Sequence, residues 1–157
     1  IIDADGLNTL AKMDKELLKS TKCRVLLTPH PKEFERLFGI GVCELQKDPV
    51  AYAESFAREY GVILLLKGAS TVVTDGERTY IVDRGCAGMA TAGSGDVLSG
   101  VLTGLLGYMP YSPLTVSLGA YVAGRAGELA AEQNTDIAMT SGDTASMLSR
   151  AWKELIE

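Results

Sequence analysis

Side chains that bind metals or form disulfides are scarce in this sequence of 157 residues. It has one histidine, His30, and three cysteines, which are odd in number and far apart: Cys23, Cys43 and Cys86. No Cys-x-x-Cys pair occurs, so neither a zinc ligand set nor a disulfide framework is indicated. Cysteines without disulfide partners are typical of a reducing compartment, and we expect the protein to be cytoplasmic.

Basic side chains are fewer than acidic ones, 15 against 20, and the formal net charge is -5. This balance argues against a general binder of nucleic acid or membrane surfaces. Apolar residues make up 46% and charged residues 22%, which excludes intrinsic disorder and collagen-like repeats. Residues 97–124 carry no charge, but glycines and prolines divide them into pieces too short to cross a bilayer. We therefore expect no nucleic-acid partner and no membrane span.

The order of apolar and polar segments predicts one α/β domain over residues 1–157. The predicted strands are 24–28, 62–66, 71–74 and 79–82, and the last two form a hairpin around 75–78. The predicted helices are 7–18, 32–38, 49–60, 96–106, 113–133 and 141–156. Strands that alternate with helices indicate a mostly parallel sheet flanked by helices, with the hairpin as an antiparallel edge. Because Ile1-Ile2 has the character of a strand end, we expect the domain to be incomplete at its N-terminus.

The most informative segment is residues 88–98, with the sequence GMATAGSGDVL. Its glycines allow tight backbone turns just before an apolar helix, whose N-terminus supplies unpaired N–H groups and partial positive charge. We interpret Gly93, Ser94 and Gly95 as an anion hole. Asp96 follows directly, and a carboxylate repels phosphate. Its presence indicates a catalytic base or a metal partner.

Spacing distinguishes this segment from two known nucleotide-binding motifs. A P-loop needs Lys and Ser or Thr where Ser94-Gly95 stands, and the dinucleotide fingerprint needs a glycine in place of Leu98. Neither pattern is present. The plainer alternative is a loop in which Asp96 only caps the helix.

Two further polar segments follow predicted strands. Lys67 and Gly68 come directly after the strand 62–66, where a lysine would meet a nucleotide phosphate and a glycine would permit close backbone approach. His30 and Glu33 follow the strand 24–28, three residues apart across a turn begun by a proline. The alternatives are a surface lysine, a turn histidine and a first-turn acid favoured by the helix dipole.

A third polar segment, residues 3–8, follows the first predicted strand end. It lacks the later carboxylates that a calcium-binding loop requires. The plain interpretation of Asp5 is therefore a turn or cap residue. If the sheet is parallel, these three segments and the anion hole lie at one edge. Their convergence predicts a single active site there.

Together the segments DADGLN, TPHPKE, LKGAST and GMATAGSGDVL resemble, in this order, the ADP-dependent NAD(P)HX dehydratases of the ribokinase-like superfamily. The resemblance covers essentially the whole chain, but only the C-terminal part of the family's domain. It implies a ribokinase-like fold and a hydro-lyase, an ADP-dependent (S)-NAD(P)H-hydrate dehydratase. Such an enzyme returns the hydrated cofactors NADHX and NADPHX to NADH and NADPH. The implied co-substrate is ADP or ATP, with Mg²⁺.

The resemblance also implies roles for individual residues. Asp96 corresponds to the catalytic base and also contacts the substrate, as does His30. Glu33 corresponds to an acid that organises metal and phosphate through water. The implied nucleotide-binding residues are Lys67, Gly68, Ala69, Ser70, Thr71 and Gly95. The chain departs from the family pattern at Lys32, Cys86-Ala87 and Ala123. These positions concern the detailed contacts with the substrate.

Two alternatives stay open at this point. One is a ribokinase-like kinase that phosphorylates a vitamin precursor or a sugar, and the other is a nucleotide-binding protein without catalysis. The long apolar C-terminal helices favour a homo-oligomer. The resemblance also suggests a fused or separate NAD(P)HX epimerase as partner.

Overall fold

The computed structural model describes residues 1–157, which divide into two compact units. Unit 1 comprises Ile1–Ile81 with Tyr111–Leu114, and unit 2 comprises Val82–Pro110 with Thr115–Glu157. The expectation of one domain over the whole chain stays a prediction.

A four-stranded sheet has the order β1-β2-β3-β4. Its strands are β1 (Leu26–Leu27), β2 (Ile63–Leu66), β3 (Thr71–Thr74) and β4 (Thr79–Val82). β1 and β2 are parallel, and an isolated parallel bridge joins Ile2 to Leu27. β2 and β3 are antiparallel, with Leu65 opposite Val73. The sheet is therefore mixed, and its parallel part is limited to Ile2, β1 and β2.

Five helices accompany this sheet: α1 (Ala4–Leu10), α2 (Leu17–Ser20), α3 (Pro31–Phe38), α4 (Val42–Leu45) and α5 (Pro49–Tyr60). The single helix predicted for 7–18 is wrong, because the chain turns after Leu10. In that turn Asp14 Oδ1 accepts a hydrogen bond from the Glu16 amide at 3.0 Å, a local bond that competes with helix continuation. α5 matches its prediction, since Asp48 caps its first turn and Gly61 ends it in the left-handed region.

The core of unit 1 is formed by the sheet and its helices. Every residue of β1 and β2 is buried, as expected for strands covered on both faces. Beside them Phe34, Phe38, Phe56 and Tyr60 form an aromatic cluster, in which the rings of Phe38 and Phe56 stack with centroids 4.0 Å apart. This packing fixes α3 and α5 against the sheet and holds the carboxyl ends of β1 and β2 in place.

Unit 2 is built from α6 (Ser94–Leu106), α7 (Pro113–Ala138, whose first residues belong to unit 1) and α8 (Ser141–Ile156). The prediction for α8 is confirmed, whereas α7 continues five residues beyond the expected end at 133 and is kinked at Thr135, where φ is 67°. One cluster of its buried apolar residues consists of Val122, Ala126, Leu129 and Ala151. None of the helices combines the length and the apolar character needed to cross a membrane.

Candidate active site

An ion cluster lies at the carboxyl ends of the parallel strands in unit 1. The ammonium of Lys67 donates to Asp3 Oδ1 at 2.9 Å and lies 3.7 Å from Glu33 Oε2. All three side chains are largely buried, with exposed fractions of 23% for Lys67, 17% for Asp3 and 7% for Glu33. Two carboxylates share one cation here, so the cluster keeps a net negative charge when all three groups are ionised.

The parallel backbone pairing brings these side chains together. The amide of Thr28 donates to the Ile2 carbonyl at 3.2 Å, and the amide of Lys67 donates to the Pro29 carbonyl at 2.8 Å. These bonds align the chain just after Ile2, β1 and β2, so the residues that follow each strand emerge side by side. The convergence predicted from the sequence is therefore present for the three segments of unit 1.

The pKa of Asp3 reflects two opposing effects. Burial raises the pKa of its carboxyl, but the hydrogen bond and charge of Lys67, with a contribution from Thr28, outweigh burial. The net result is a pKa below the ordinary value for aspartate. Asp3 was missed by the sequence analysis, which considered only Asp5 in this segment. The sequence does contain one indication that Asp3 belongs to the site, because Asp3 directly follows an apolar strand end.

His30 and Glu33 cap the N-terminus of α3. His30 Nδ1 accepts hydrogen bonds from the amides of Lys32 at 3.1 Å and Glu33 at 3.2 Å. In return Glu33 Oε2 accepts from the His30 amide at 2.8 Å, which completes a capping box. Because Nδ1 accepts twice, the neutral ring carries its proton on Nε2, which lies 3.5 Å from Glu33 Oε1. The His30 side chain is 45% exposed and accessible, while its role toward substrate stays a prediction.

The proposed nucleotide segment is the connection between β2 and β3. Gly68, Ala69 and Ser70 are exposed, and Thr71 is the first residue of β3. A Cβ at Gly68 would lie 3.2 Å from the Ser70 carbonyl oxygen, so the tight turn favours glycine there. The loop offers accessible backbone groups next to Lys67, and nucleotide binding by these residues stays a prediction.

The glycine-rich segment forms the start of α6 in unit 2. Gly93 is the N-cap residue with φ of 88°, and it supplies no side chain to the first-turn amides. The Ser94 amide donates to the Thr91 carbonyl at 3.3 Å, whereas the amides of Gly95 and Asp96 have no acceptor within the chain. The Asp96 side chain is exposed. Unpaired first-turn amides next to an exposed carboxylate are the arrangement expected for an anion hole with an adjacent base.

Two contacts from the α7–α8 region hold this segment. Asp136 Oδ1 accepts from the Gly88 amide at 3.0 Å, and that hydrogen bond, with a second from Cys86, lowers the pKa of Asp136. A Cβ at Gly93 would lie only 2.5 Å from Ser141 Oγ, so α8 closes one side of the loop. Asp136 and Ser141 were not predicted, because both contacts join segments far apart in the sequence.

The structure offers few side chains that could bind a metal ion. No group of three or more His, Cys, Asp or Glu side chains is arranged to hold a metal. Both oxygens of Glu33 already face partners within unit 1. These residues do not fit a resident Mg²⁺ site, and a cation would need further ligands, such as the phosphates of a bound nucleotide.

Comparison with known proteins identifies the family. A family model described as NAD(P)H-hydrate dehydratase, Carb_kinase, matches residues 1–150. The chain belongs to the NAD(P)H-hydrate dehydratase family. The bifunctional NAD(P)H-hydrate repair enzyme Nnr of Moorella thermoacetica is 43% identical over 159 residues, which cover 100% of this chain and 30% of that enzyme.

Two solved structures identify the fold of this chain. The ADP/ATP-dependent NAD(P)H-hydrate dehydratase of Bacillus subtilis, co-crystallised with ATP and Mg²⁺, is 32% identical with a TM-score of 0.78, and the match covers 83% of this chain and 48% of that one. A ribokinase-like superfamily protein from Enterococcus faecalis matches with a TM-score of 0.80 at 22% identity, over 97% of this chain and 51% of that one. The ribokinase-like α/β fold is thereby confirmed. The chain spans less than a third of the curated relative and about half of the solved chains.

Proposed function

We propose that the protein is a repair lyase that dehydrates NADHX and NADPHX to NADH and NADPH, with ADP or ATP as phosphoryl donor. The observation that carries this proposal is the first turn of α6, where the unpaired amides of Gly95 and Asp96 lie next to the exposed Asp96 carboxylate. Membership of the NAD(P)H-hydrate dehydratase family supports the choice of substrate.

Phosphoryl transfer gives the reaction its leaving group. Hydroxide leaves poorly, so the hydroxyl oxygen of the hydrated ring attacks the terminal phosphorus of the nucleotide. A new P–O bond forms, and the bond between that phosphorus and the nucleotide breaks. Phosphate then departs with the electron pair of its C–O bond, and an adjacent ring carbon releases a proton, which restores the conjugated ring.

The residues of α6 act on the reacting atoms. Asp96 accepts the proton of the attacking hydroxyl as general base. The unpaired amides of Gly95 and Asp96, which follow Gly93 and Ser94 in the proposed anion hole, stabilise negative charge on the transferring phosphoryl group.

The residues of unit 1 bind the two substrates. The loop Gly68–Ser70 with Lys67 and Thr71 contacts the nucleotide, and the accessible Nε2–H of His30 donates to the hydrated cofactor. Glu33, whose oxygens are engaged within the chain, would meet the nucleotide's Mg²⁺ only through water or phosphate. That cation would offset phosphate charge when bound.

We also propose that the protein is cytoplasmic and forms a homo-oligomer. Since the Moorella relative is bifunctional and much longer than this chain, a fused or separate NAD(P)HX epimerase is proposed as partner.

Product analysis tests the proposal. The protein that carries this chain is incubated with NADHX, ADP and Mg²⁺, and the products are separated by mass spectrometry. We expect NADH and inorganic phosphate in equal amounts, with loss of the hydrate. Accumulation of a phosphorylated alcohol would instead identify a kinase, and nucleotide binding with no product would identify a non-catalytic binder.

A further inference from the structure

The N-terminal turns of α6 and α8 meet in unit 2. Gly93, the N-cap of α6, abuts Ser141, the first residue of α8, so closely that a Cβ at Gly93 would lie 2.5 Å from Ser141 Oγ. Further along, residues of both helices line one shallow apolar groove. They include Val97 and Val101 from α6, and Leu148 and Trp152 from α8. The two helices therefore pass side by side from their N-termini onward.

These two helices carry two buried hydroxyl groups without a hydrogen-bond partner, Ser94 Oγ on α6 and Thr144 Oγ1 on α8. Thr144 is only 1% exposed. It lies three residues after Ser141 and four before Leu148, so it shares the face of α8 that meets α6. Ser94 lies three residues before Val97, which places it on the matching face of α6. Both hydroxyls thus belong to the seam that begins at the anion hole.

Unpaired buried hydroxyls destabilise a fold and are uncommon in native proteins. Other buried threonines of this chain are paired: Thr115 Oγ1 donates to the Pro110 carbonyl at 2.7 Å, and Thr74 Oγ1 accepts from the Gly76 amide at 3.0 Å. Unpaired buried hydroxyls are typical of a site whose polar groups form hydrogen bonds only when a ligand is bound.

We propose that Thr144 is a positioning residue of the anion hole, an inference that rests on the proposed function. When the amides of Gly95 and Asp96 hold a phosphoryl oxygen, rotation about the Cα–Cβ bond of Ser94 brings its hydroxyl to the same oxygen as a third donor. The Thr144 hydroxyl then donates to Ser94 Oγ and fixes that rotamer. Hydrogen bonds in such a chain strengthen one another, so Thr144 acts on the ligand through Ser94.

The variant Thr144→Val tests this assignment in the protein that carries the chain. The unfolding midpoint is expected to rise by roughly 3 °C, because an unsatisfied buried hydroxyl is removed. The dissociation constant for ADP with Mg²⁺, measured by calorimetry, is expected to increase about tenfold, because the Ser94 donor is no longer held. Thr144→Ser keeps the hydroxyl and should restore ADP binding.

Thr115→Val is the matched control, since Thr115 is 4% exposed but hydrogen-bonded. It should lower the midpoint and leave ADP affinity unchanged. If Thr144→Val binds ADP as the wild type does, or loses stability or fails to fold, the inference is overturned while the proposed function stands. If the wild-type protein binds no ADP, the proposed function fails, and this inference fails with it.

Discussion

The ammonium of Lys67 donates to the carboxylate of Asp3 over 2.9 Å, across 64 positions of sequence. This pair joins the chain after Ile2 to the end of β2, and Glu33, in the first turn of α3, shares the same cation at 3.7 Å. Lys67 therefore neutralises carboxylates of its own chain in addition to any nucleotide contact. A phosphate at this loop has to compete with Asp3 for the ammonium.

Replacing Lys67 with methionine should destabilise unit 1 by about 2 kcal/mol at neutral pH, since two largely buried carboxylates lose the ammonium that they share. Urea unfolding followed by circular dichroism measures this loss. Lys47→Met removes an exposed lysine that pairs with Glu44, and it should change stability by less than about 0.5 kcal/mol. Equal effects of the two variants would contradict the importance of the Asp3–Lys67 pair.

The depressed pKa of Asp3 predicts how its contribution depends on pH. A carboxyl with a lower pKa in the folded state stabilises the protein above its unfolded pKa, and this contribution is lost as pH falls through the folded value. The stability difference between wild type and Asp3→Asn should be constant from about pH 6 to 8, should shrink as the pH falls below about 4, the unfolded pKa, and should vanish only below the lower pKa of the folded state. Asp5→Asn controls for the change in net charge. A difference that grows on acidification would contradict this sign.

Gly93 is constrained twice, by its positive φ and by Ser141. Gly93→Ala should cost about 3 kcal/mol and abolish ADP binding, because the new Cβ meets Ser141 Oγ. Gly39→Ala, where φ is 76° and no atom lies within 4 Å of the position a Cβ would take, should cost only about 1 kcal/mol. Adding Ser141→Gly to Gly93→Ala should recover part of the loss. An absence of coupling in this double-mutant cycle would refute the contact.

His30 combines a capping role with an accessible ring, and two substitutions separate them. His30→Ala should lose about 1 kcal/mol, because the amides of Lys32 and Glu33 lose their acceptor. His30→Asn keeps a cap acceptor, so stability should be nearly preserved while the KM for NADHX rises. If His30→Asn leaves the KM unchanged, His30 serves only the helix.

Local signals allowed much of the fold to be predicted from the sequence. Asp48, Pro49 and Gly61 define α5 at both ends, because caps and left-handed glycines act within a few residues. The helix predicted for 7–18 was wrong for a related reason, since the side chain of Asp14 stabilises a turn that apolar periodicity does not reveal.

The site was predictable only in part. The anion hole predicted for Gly93–Asp96 was inferred from residue types in one short segment, and its role stays a prediction. In the structure the amides of Gly95 and Asp96 are unpaired. Asp3, Asp136 and Ser141 were not predicted, because their partners are set by strand register and by helix packing between distant segments. Such pairings depend on tertiary structure, which one sequence does not specify by pattern alone.

The central claim is that Asp96 is the base beside an anion hole, and Asp96→Asn tests it most directly. The measurement is the single-turnover rate of NADH formation from NADHX with ADP and Mg²⁺, alongside the dissociation constant for ADP. We expect the rate to fall by about a thousandfold, since the general base is lost, while ADP binding is retained because the amides of the first turn are unchanged. A rate close to that of the wild type would contradict the account.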